Sequence, residues 1–214
     1  ELEDWPYSPH IACFLNIYEE LHNHDSYEEY FTSKTNITLH QKAEDFFFFN
    51  GTQPQLAELA GKTQATSHDF TQDELDIDLK KLPFYTHQHN LQAVWVLCKH
   101  MGVSEEDFKR HLMTFTPLEH RIQRIGEFDG ITFYDDSGSV HPNSTILALD
   151  MLPDVDTIIL GGQDRGYHFV ELAQSLAAHQ ISNIILFPET GSSIEQEVLK
   201  VPDYQPHIHH VSSM

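Results

Sequence analysis

Basic side chains are scarce in this chain, which has 12 Lys and Arg residues against 33 Asp and Glu residues and a formal net charge of -21. Lysine and arginine supply most protein contacts to nucleic-acid phosphates and anionic lipid headgroups. The composition therefore predicts that the chain binds neither nucleic acid nor an anionic membrane. Small anionic ligands remain compatible with this charge, because a local loop rather than the net charge binds them.

Cysteines and long apolar runs are also few. Cys13 and Cys98 lie inside apolar runs, which indicates buried free thiols in a reducing compartment rather than a disulfide framework. No segment has the length of a membrane span or the pattern of a signal peptide, so we expect a cytoplasmic protein. The chain begins at Glu1 rather than at a methionine and ends soon after a candidate strand at 207–211. We therefore expect an excerpt of a longer protein.

One stretch of the second half has the pattern of a strand, a helix and a second strand. The apolar strand Ile131 to Tyr134 is followed by Asp135-Asp136-Ser137, a helix begins at Pro142, and the strand Thr157 to Leu160 leads into the glycine-rich loop 161–166. Ligands of open α/β sheets bind outside the carboxyl ends of the strands, so the two polar loops predict one candidate site. The alternative is two ordinary connecting loops, which are polar in any protein of this class.

The apolar run from Ser8 to Ile17 predicts a strand covered on both faces, in the centre of a parallel sheet. Acids and imidazoles follow this strand directly, at Glu19, Glu20, His22, His24 and Asp25. Oxygen and nitrogen ligands of this kind suit Mg²⁺ or Mn²⁺. A solvated acidic loop is the alternative interpretation.

The segment Ser26 to Ile37 predicts a helix, with Ser26 as its N-cap and Glu29 completing a capping box. Its aromatic residues recur at helical spacing with Lys34, which places the lysine on the buried face. Desolvation lowers the pKa of an amine, and a neutral amine can act as a nucleophile or take up CO₂ to become a carbamate. In the alternative, Lys34 is near the helix end and extends its ammonium group into water.

The rest of the chain predicts alternating strands and helices, which imply a parallel, doubly wound α/β sheet with right-handed crossovers. Thr116-Pro117 marks the expected domain boundary. The expected elements are a buried strand at 44–51, a polar irregular segment at 52–82, helices at 88–101 and from Ser104, a hairpin of 121–127 with 131–135 turned at Asp129-Gly130, a helix at 168–178, a strand at 183–187 and a helix at 192–200. The expected inward-facing residues of the first two of these helices are Leu91, Val94, Trp95, Cys98, Met101, Phe108, Leu112 and Phe115.

Five segments together resemble the Mur ligases of peptidoglycan synthesis: YSPHIACFLNIYEE, SYEEYFTSK, LEHRI, ITFYDDS with the following Pro142, and LGGQDRG. They occur in the order of the family and at about its spacing, and they are most similar to the branch that adds D-glutamate to UDP-N-acetylmuramoyl-L-alanine. The resemblance implies that residues 1–117 are the latter part of a central P-loop-type ATPase domain, followed in 118–214 by a Rossmann-like doubly wound C-terminal domain. The P-loop itself, G-x-x-G-K-[ST], has no counterpart in these residues, so we expect the chain to be inactive alone.

The activity that the resemblance implies is ATP-dependent amide formation through an acyl phosphate, with Mg²⁺ or Mn²⁺ as the metal ion. The implied substrates are UDP-N-acetylmuramoyl-L-alanine and D-glutamate. Two alternatives stay open. One is another Mur or folylpolyglutamate-type ligase, and the other is a catalytically dead relative that binds a nucleotide or a partner.

The resemblance also assigns residues to a metal site. Lys34 matches the family lysine that is carbamylated and helps to hold the second metal ion. The metal-binding histidine of the family follows the pattern N-x-x-x-x-H, but here the chain after Asn16 is one residue short. His22 is therefore the candidate ligand, and His24 is the alternative.

The nucleotide and amino-acid sites are assigned in the same way. Arg121 matches the arginine that contacts the nucleotide, Asp136 matches the aspartate at the ribose, and Asn90 is expected at the nucleotide as well. Arg165 replaces a basic residue, usually lysine, that binds the carboxylate of the incoming amino acid, a role that a guanidinium group can fill with two hydrogen bonds. Ser137 is expected in the same amino-acid site.

The chain departs from the family pattern near these residues. After Asp136-Ser137 the family usually has Lys-Ala-Thr-Asn or Ile-Ser-Thr-Thr before the proline, whereas Gly138, Ser139, Val140 and His141 stand here. Val140 lacks the hydroxyl group that would contact the amino acid. Ala93 replaces a family asparagine near the adenine. These changes predict either an altered amino-acid site or a copy that has lost its activity.

Overall fold

The computed structural model describes residues 5–18, 24–152 and 154–213. The chain divides into two compact units, a first unit of residues 1–116 and a second unit of residues 117–214. The first unit contains β1 (Ile11–Phe14), α1 (Tyr27–Leu39), β2 (Phe46–Phe49), α2 (Pro54–Ala60), β3 (Thr66–Asp69), α3 (Gln88–His100) and α4 (Glu105–Leu112). The second unit contains β4 (Gln123–Phe128), β5 (Ile131–Asp135), α5 (Pro142–Met151), β6 (Thr157–Gly161), α6 (Val170–Ala178), β7 (Asn183–Phe187), α7 (Gly191–Val198) and β8 (His207–His210).

The sheet of the first unit is parallel, with the order β1-β2-β3. The prediction that the strand within Ser8 to Ile17 is central was therefore wrong for the described residues, because β1 pairs only with β2. The central strand is β2, whose four consecutive phenylalanines fit a strand that is covered on both faces. Cys13 and Cys98 are free and half-buried, and burial raises the pKa of the Cys13 thiol to about 11.

Alternating side chains of β2 separate two layers of helices. Phe47 and Phe49 pack with residues of α1 and α2, whereas Phe48 packs with residues of α3 and α4. Phe47 is fully buried, and removing such a ring costs about 3–5 kcal/mol. The first unit is thus a parallel sheet between two helical layers, as the α/β prediction requires.

The helix α1 begins as the capping box predicts. Ser26 Oγ accepts a hydrogen bond from the N–H of Glu29 at 3.1 Å, and the Glu29 carboxylate reaches back to the N–H of Asp25 at 2.8 Å. Two donors at the helix start are thereby satisfied, which stabilises the helix by about 1 kcal/mol for the N-cap alone.

The buried face of α3 differs from the prediction. Val94 and Met101 were expected to face inward but are 49% and 65% exposed, and Gln92, Ala93 and Val96 are buried instead. The amide nitrogen of Gln92 donates to the carbonyl of Asp73 at 3.1 Å. A polar side chain with such a partner can occupy a buried position. Leu91 and Trp95 are buried as predicted, so the apolar pattern was wrong only for Val94 and Met101.

Two further expectations in the first unit were wrong. The segment 52–82 is not irregular throughout, because it contains α2 and β3. A proline opens α2, and β3 has the polar sequence TSHD, which is held by backbone pairing with β2 rather than by an apolar pattern. Phe115 lies beyond the end of α4 and is 55% exposed, with its ring against Phe84.

In the second unit, β4 and β5 form the predicted hairpin. Asp129 and Gly130 at its turn have φ angles of 50° and 79°, which suit a two-residue turn whose twist matches the strands. The strand, helix and strand pattern of 131–160 led us to expect β5 and β6 in one parallel sheet, and this expectation was wrong. In the part of the chain that the structure describes, β5 pairs with β4 and β6 pairs with β7, so β5 and β6 belong to different sheets.

The other sheet of the second unit is parallel, with the order β6-β7-β8. Ile184 and Leu186 of β7 pack with α5, α6 and α7 in one core cluster. Leu172, Ala173 and Leu176 are the buried residues of α6, as predicted. None of the helices in the described ranges is long and apolar enough to cross a membrane.

Candidate functional site

Arg121 lies in a turn at the start of the second unit, between two residues with left-handed backbone. The φ angle of His120 is 62° and that of Ile122 is 45°. Side chains disfavour this region, and a β-branched residue such as Ile122 is a genuine outlier there. Each strained residue of this kind costs about 1–3 kcal/mol, so surrounding contacts must hold the turn in place.

His120 is fixed at three of its atoms. Its Nδ1 donates to Oδ2 of Asp135 at 2.7 Å, its backbone N–H donates to Oε1 of Gln123 at 3.0 Å, and its carbonyl accepts from the N–H of Gly138 at 2.9 Å. The hydrogen bond from His120, together with hydrogen bonds from Ser137, lowers the pKa of Asp135 to about 2. The same contact with Asp135 raises the pKa of His120. The two side chains therefore form an ion pair whenever the imidazole is protonated.

Asp136 fixes the other side of the turn. Its Oδ1 accepts from the N–H of Ile122 at 3.0 Å, and its Oδ2 accepts from Oγ of Ser139 at 2.6 Å. Asp136 is half-buried, and Ser137 beside it is exposed. Asp136 thus accepts a hydrogen bond from the backbone of the residue next to Arg121, and both Asp136 and Arg121 are predicted to contact the nucleotide.

Gly138 packs directly against the turn. A Cβ atom built at this position would lie 2.7 Å from the carbonyl oxygen of His120 and 3.0 Å from Nε of Arg121. The distance to the carbonyl oxygen is shorter than real Cβ contacts show, and the distance to Nε is at the tight end of their range, so a larger residue at 138 requires movement of the loop or of the turn. Val140, two residues further on, is 57% exposed.

Arg165 lies in the loop after β6, which is held by the segment that follows β7. The carbonyl of Gly162 accepts from the N–H groups of Glu189 at 2.8 Å and Thr190 at 3.1 Å. The carboxylate of Glu189 accepts from the N–H of Asp164 at 3.0 Å. The half-buried side chain of Arg165 therefore projects from a loop with a fixed backbone.

An aromatic contact joins the two polar loops of the second unit. The ring centroids of His141 and Tyr167 are 4.6 Å apart in an edge-to-face arrangement. His141 follows the loop with Asp136 and caps α5, and its Nδ1 accepts from the N–H of Asn143 at 3.2 Å. Tyr167 follows the loop with Arg165. The two loops thus meet, although the strands that precede them belong to different sheets.

In the first unit, Lys34 is exposed, so the prediction that it is buried was wrong. It lies on the same stripe of α1 as Tyr30 and Thr38, but its Nζ extends over the Tyr30 ring at 5.4 Å from the centroid. The ammonium group thus lies over the face of the ring, a cation–π contact at an exposed position, and the charge is not buried, as in the alternative weighed from the sequence. Its proposed carbamate remains a prediction.

The metal site is only partly within the described residues. His22 lies outside them, so its role as a ligand stays a prediction. His24 is half-buried, with its ring 5.3 Å from that of Tyr30. Within residues 5–18, 24–152 and 154–213, no three His, Cys, Asp or Glu side chains are grouped closely enough to hold a metal ion. We therefore derive no chemical step from a metal ion in this structure.

Asn90 is exposed in the first turn of α3, where its N–H donates to the carbonyl of His87 at 3.1 Å. Next to it, His89 lies 3.4 Å from the amide nitrogen of Asn50, a buried residue directly after β2. Ala93 is 0% exposed and belongs to the core cluster with α4. Ala93, where the resemblance predicts an asparagine in the family, is therefore a core residue in this chain.

Sequence reasoning missed the residues that hold these loops. Asp135 and His120 were adjacent to predicted site residues, yet no pattern indicates a left-handed backbone at a histidine or an isoleucine. Glu189 lies 25 positions from its partner Asp164. The only signal in the sequence was that β6 and β7 are neighbouring parallel strands. The segments that follow them therefore begin at the same edge of the sheet.

The chain is similar to known proteins in sequence and in fold. Residues 1–113 match the Mur ligase middle domain. The UDP-N-acetylmuramoylalanine--D-glutamate ligase of Streptococcus suis is 32% identical over 211 residues, which cover 89% of this chain and 46% of that protein. The enzyme of the same name from Enterococcus hirae is 31% identical over 211 residues, or 88% of this chain and 45% of the relative. The chain spans about half the length of the curated relatives it matches.

Solved structures share the fold at lower sequence identity. MurF from Acinetobacter baumannii superposes with a TM-score of 0.71 at 19% identity, over 96% of this chain and 51% of that chain. A bifunctional folylpolyglutamate synthase/dihydrofolate synthase from Yersinia pestis, complexed with AMPPNP and a Mn ion, gives a TM-score of 0.61 at 14% identity, over 95% and 53% of the two chains.

The fold is that of the ATP-dependent amide-forming ligases, with an ATPase-like middle domain followed by a C-terminal α/β domain. The chain belongs to the Mur ligase family.

Proposed function

We propose that this chain is the central-to-C-terminal part of a ligase that adds D-glutamate to UDP-N-acetylmuramoyl-L-alanine with ATP. In this proposal residues 1–117 belong to the central ATPase domain and residues 118–214 to the C-terminal domain. The sequence identity of 32% over 211 residues to a ligase of that name supports the choice of substrates. Mg²⁺ or Mn²⁺ is the expected metal ion, as in other enzymes that transfer the γ-phosphoryl group.

The observation that carries the proposal is the network around Arg121. The guanidinium group is presented by a strained turn and lies against the loop that contains Asp136 and Gly138. A cation beside a carboxylate acceptor is suited to the phosphate and ribose of a nucleotide. These residues fit one part of a nucleotide site, and the 214 residues contain no P-loop pattern for binding the phosphates.

The proposed reaction forms one amide bond for each ATP consumed. The γ-phosphoryl group moves to the substrate carboxylate, ADP leaves, and the amine of D-glutamate attacks the acyl carbon and displaces phosphate. Arg121, Asp136 and Asn90 would contact the nucleotide. Arg165 and Ser137 would bind the carboxylate of D-glutamate, while Lys34 and His22 keep the metal-site roles predicted from the resemblance.

A second candidate is a relative that binds the nucleotide without turnover. Ala93 supports it, because a buried methyl group stands where a family asparagine would lie near the adenine. Val140 supports it too, since it brings no hydroxyl group to the amino-acid site. A further ligase of the same fold, with another amino acid as substrate, is the remaining alternative within the enzyme class.

The test uses the product of the complete open reading frame that contains this chain. Phosphate release is measured with ATP and UDP-N-acetylmuramoyl-L-alanine, with D-glutamate, L-glutamate or L-alanine added separately. The proposal expects release that depends on D-glutamate. Release with only another amino acid would favour the alternative ligase, and binding of ADP without any release would favour the inactive relative.

A further inference from the structure

The backbone of the turn 120–122 is strained, and packing of the hydrophobic core does not account for this strain. Both neighbours of Arg121, His120 and Ile122, have left-handed backbone although neither is glycine. None of the three residues belongs to the buried core clusters of the described chain, and His120 and Arg121 are exposed. Strain that no core packing explains, next to a residue with a proposed ligand, points to a role in placing that residue.

Two adjacent carboxylates hold the turn, one from each side. Asp135 accepts the Nδ1–H of His120 on one oxygen and the N–H of Ser137 on the other. Asp136 accepts the N–H of Ile122 on one oxygen and the hydroxyl of Ser139 on the other. Each carboxylate thus ties one flank of Arg121 to the loop that follows β5.

The Asp135 side of this arrangement has the stronger electrostatic component. Its bond to His120 is charge-assisted when the imidazole is protonated, and such bonds contribute more than neutral ones. The other charged groups near His120 are Glu119 and Arg121 on its own segment and Asp136 on the facing loop. Glu119 acts in the same direction as Asp135, because it also favours the protonated imidazole.

We propose that His120 and Asp135 are positioning residues, which hold the strained turn so that the Arg121 guanidinium faces the nucleotide. The proposal rests on the proposed function, in which Arg121 contacts ATP. It predicts that weakening the pair impairs nucleotide binding and leaves amino-acid binding unchanged. A purely structural role would instead change stability or affect all substrates alike.

The experiment compares His120→Ala and Asp135→Asn with the matched control His210→Ala in the complete protein. His210 pairs with Glu195 at 3.2 Å, and the exposed fractions of these side chains, 52% and 31%, are close to the 58% and 27% of His120 and Asp135. For His120→Ala we expect the KM for ATP to rise about tenfold, as for loss of one hydrogen bond to a charged group. The KM for D-glutamate should not change, and His210→Ala should match the wild type.

The pH dependence of the KM for ATP distinguishes a positioning role from a purely structural one, because a purely structural role would not change it. In the wild type the KM for ATP should rise as pH increases through the raised pKa of His120, because the charge on the imidazole is then lost. Asp135→Asn keeps the size of the side chain and removes its charge. Its KM for ATP should therefore be raised already at low pH and should rise less as the imidazole loses its proton, and a profile identical to that of the wild type would contradict the proposal.

The two proposals can fail separately. If the wild type shows no turnover, the proposed ligase function fails, and ADP binding measured by calorimetry replaces the KM for ATP. His120→Ala should then weaken ADP about tenfold relative to His210→Ala. Equal ADP affinity in these two variants, or no ADP binding by the wild type, would overturn the positioning role.

Discussion

Replacing Gly138 with alanine should destabilise the second unit, because the added Cβ would meet the backbone of the Arg121 turn. The shortest distance, 2.7 Å to the carbonyl oxygen of His120, is 0.7 Å less than the 3.4 Å at which ordinary contact begins. If the loop moves by that amount, the hydrogen bond from the Gly138 N–H to the same oxygen lengthens from 2.9 Å to roughly 3.6 Å and is lost.

The expected magnitude follows from three contributions. Overpacking costs about 1–3 kcal/mol, and the lost hydrogen bond contributes within that range. Alanine restricts the unfolded chain more than glycine does, which offsets about 0.4–1 kcal/mol. The φ angle at 138 lies outside the left-handed region, so no backbone strain adds to the total. The net loss should be about 1–2 kcal/mol.

The assay is thermal unfolding of the complete protein, together with the KM for ATP. Gly61→Ala is the control, because a Cβ there would lie 3.4 Å from its nearest neighbour and the φ angle is −74°. We expect Gly61→Ala to match the wild type in stability and in KM. If Gly138→Ala is as stable as Gly61→Ala and its KM for ATP is unchanged, the reasoning about this contact is refuted.

Three further predictions concern the second unit. Arg165→Ala should raise the KM for D-glutamate roughly tenfold or more in a steady-state assay, as for loss of a charge-assisted hydrogen bond. Arg165→Lys keeps the positive charge and should restore most of the affinity for D-glutamate. Equal KM values for the two variants would exclude a contact with the carboxylate. Leu176→Ala should lower the free energy of unfolding by about 2–5 kcal/mol, because Leu176 is 0% exposed, whereas Leu199→Ala, at a residue 69% exposed, should change it little in the same denaturation experiment. The pKa of Asp135 is lowered from 3.8 to about 2, so its ionised carboxylate contributes stability above pH 3.8 that is lost as pH falls towards 2. Over this pH range the unfolding midpoint of Asp135→Asn should fall less steeply than that of the wild type. Identical curves for the two proteins would contradict the prediction.

Local signals in the sequence predicted individual elements well. The Ser26 cap with Glu29, the Asp129-Gly130 turn and the apolar strand β7 each depend on interactions among neighbouring residues or on one short pattern. Such signals are contained in the sequence itself, so the start of α1, the hairpin and the strand could be predicted without the structure.

Long-range contacts were the part that the sequence could not provide. The buried face of α3 depends on the carbonyl of Asp73, 19 residues before Gln92. Lys34 is exposed, and a flexible stem places its ammonium group over the Tyr30 ring. Neither the distant partner of a polar side chain nor the path of a long one follows from periodicity.

The candidate site shows the same division. Arg121, Asp136 and Arg165 were indicated by motifs that resemble a family, and in the structure Asp136 binds the N–H of Ile122, the residue next to Arg121. The strained turn that presents Arg121 was not predictable, since no sequence pattern indicates left-handed backbone at a histidine or an isoleucine. The pair of His120 and Asp135 emerged only when the turn was seen.

The most direct test of the proposed function is product formation by the complete protein. Labelled D-glutamate is incubated with UDP-N-acetylmuramoyl-L-alanine, ATP and Mg²⁺, and the nucleotide-linked product is separated and identified by its mass. We predict one D-glutamate joined through an amide bond, with one ADP released for each product. Full ADP-binding capacity with no labelled product, for this or any other amino acid, would contradict the assignment of this chain to an active ligase.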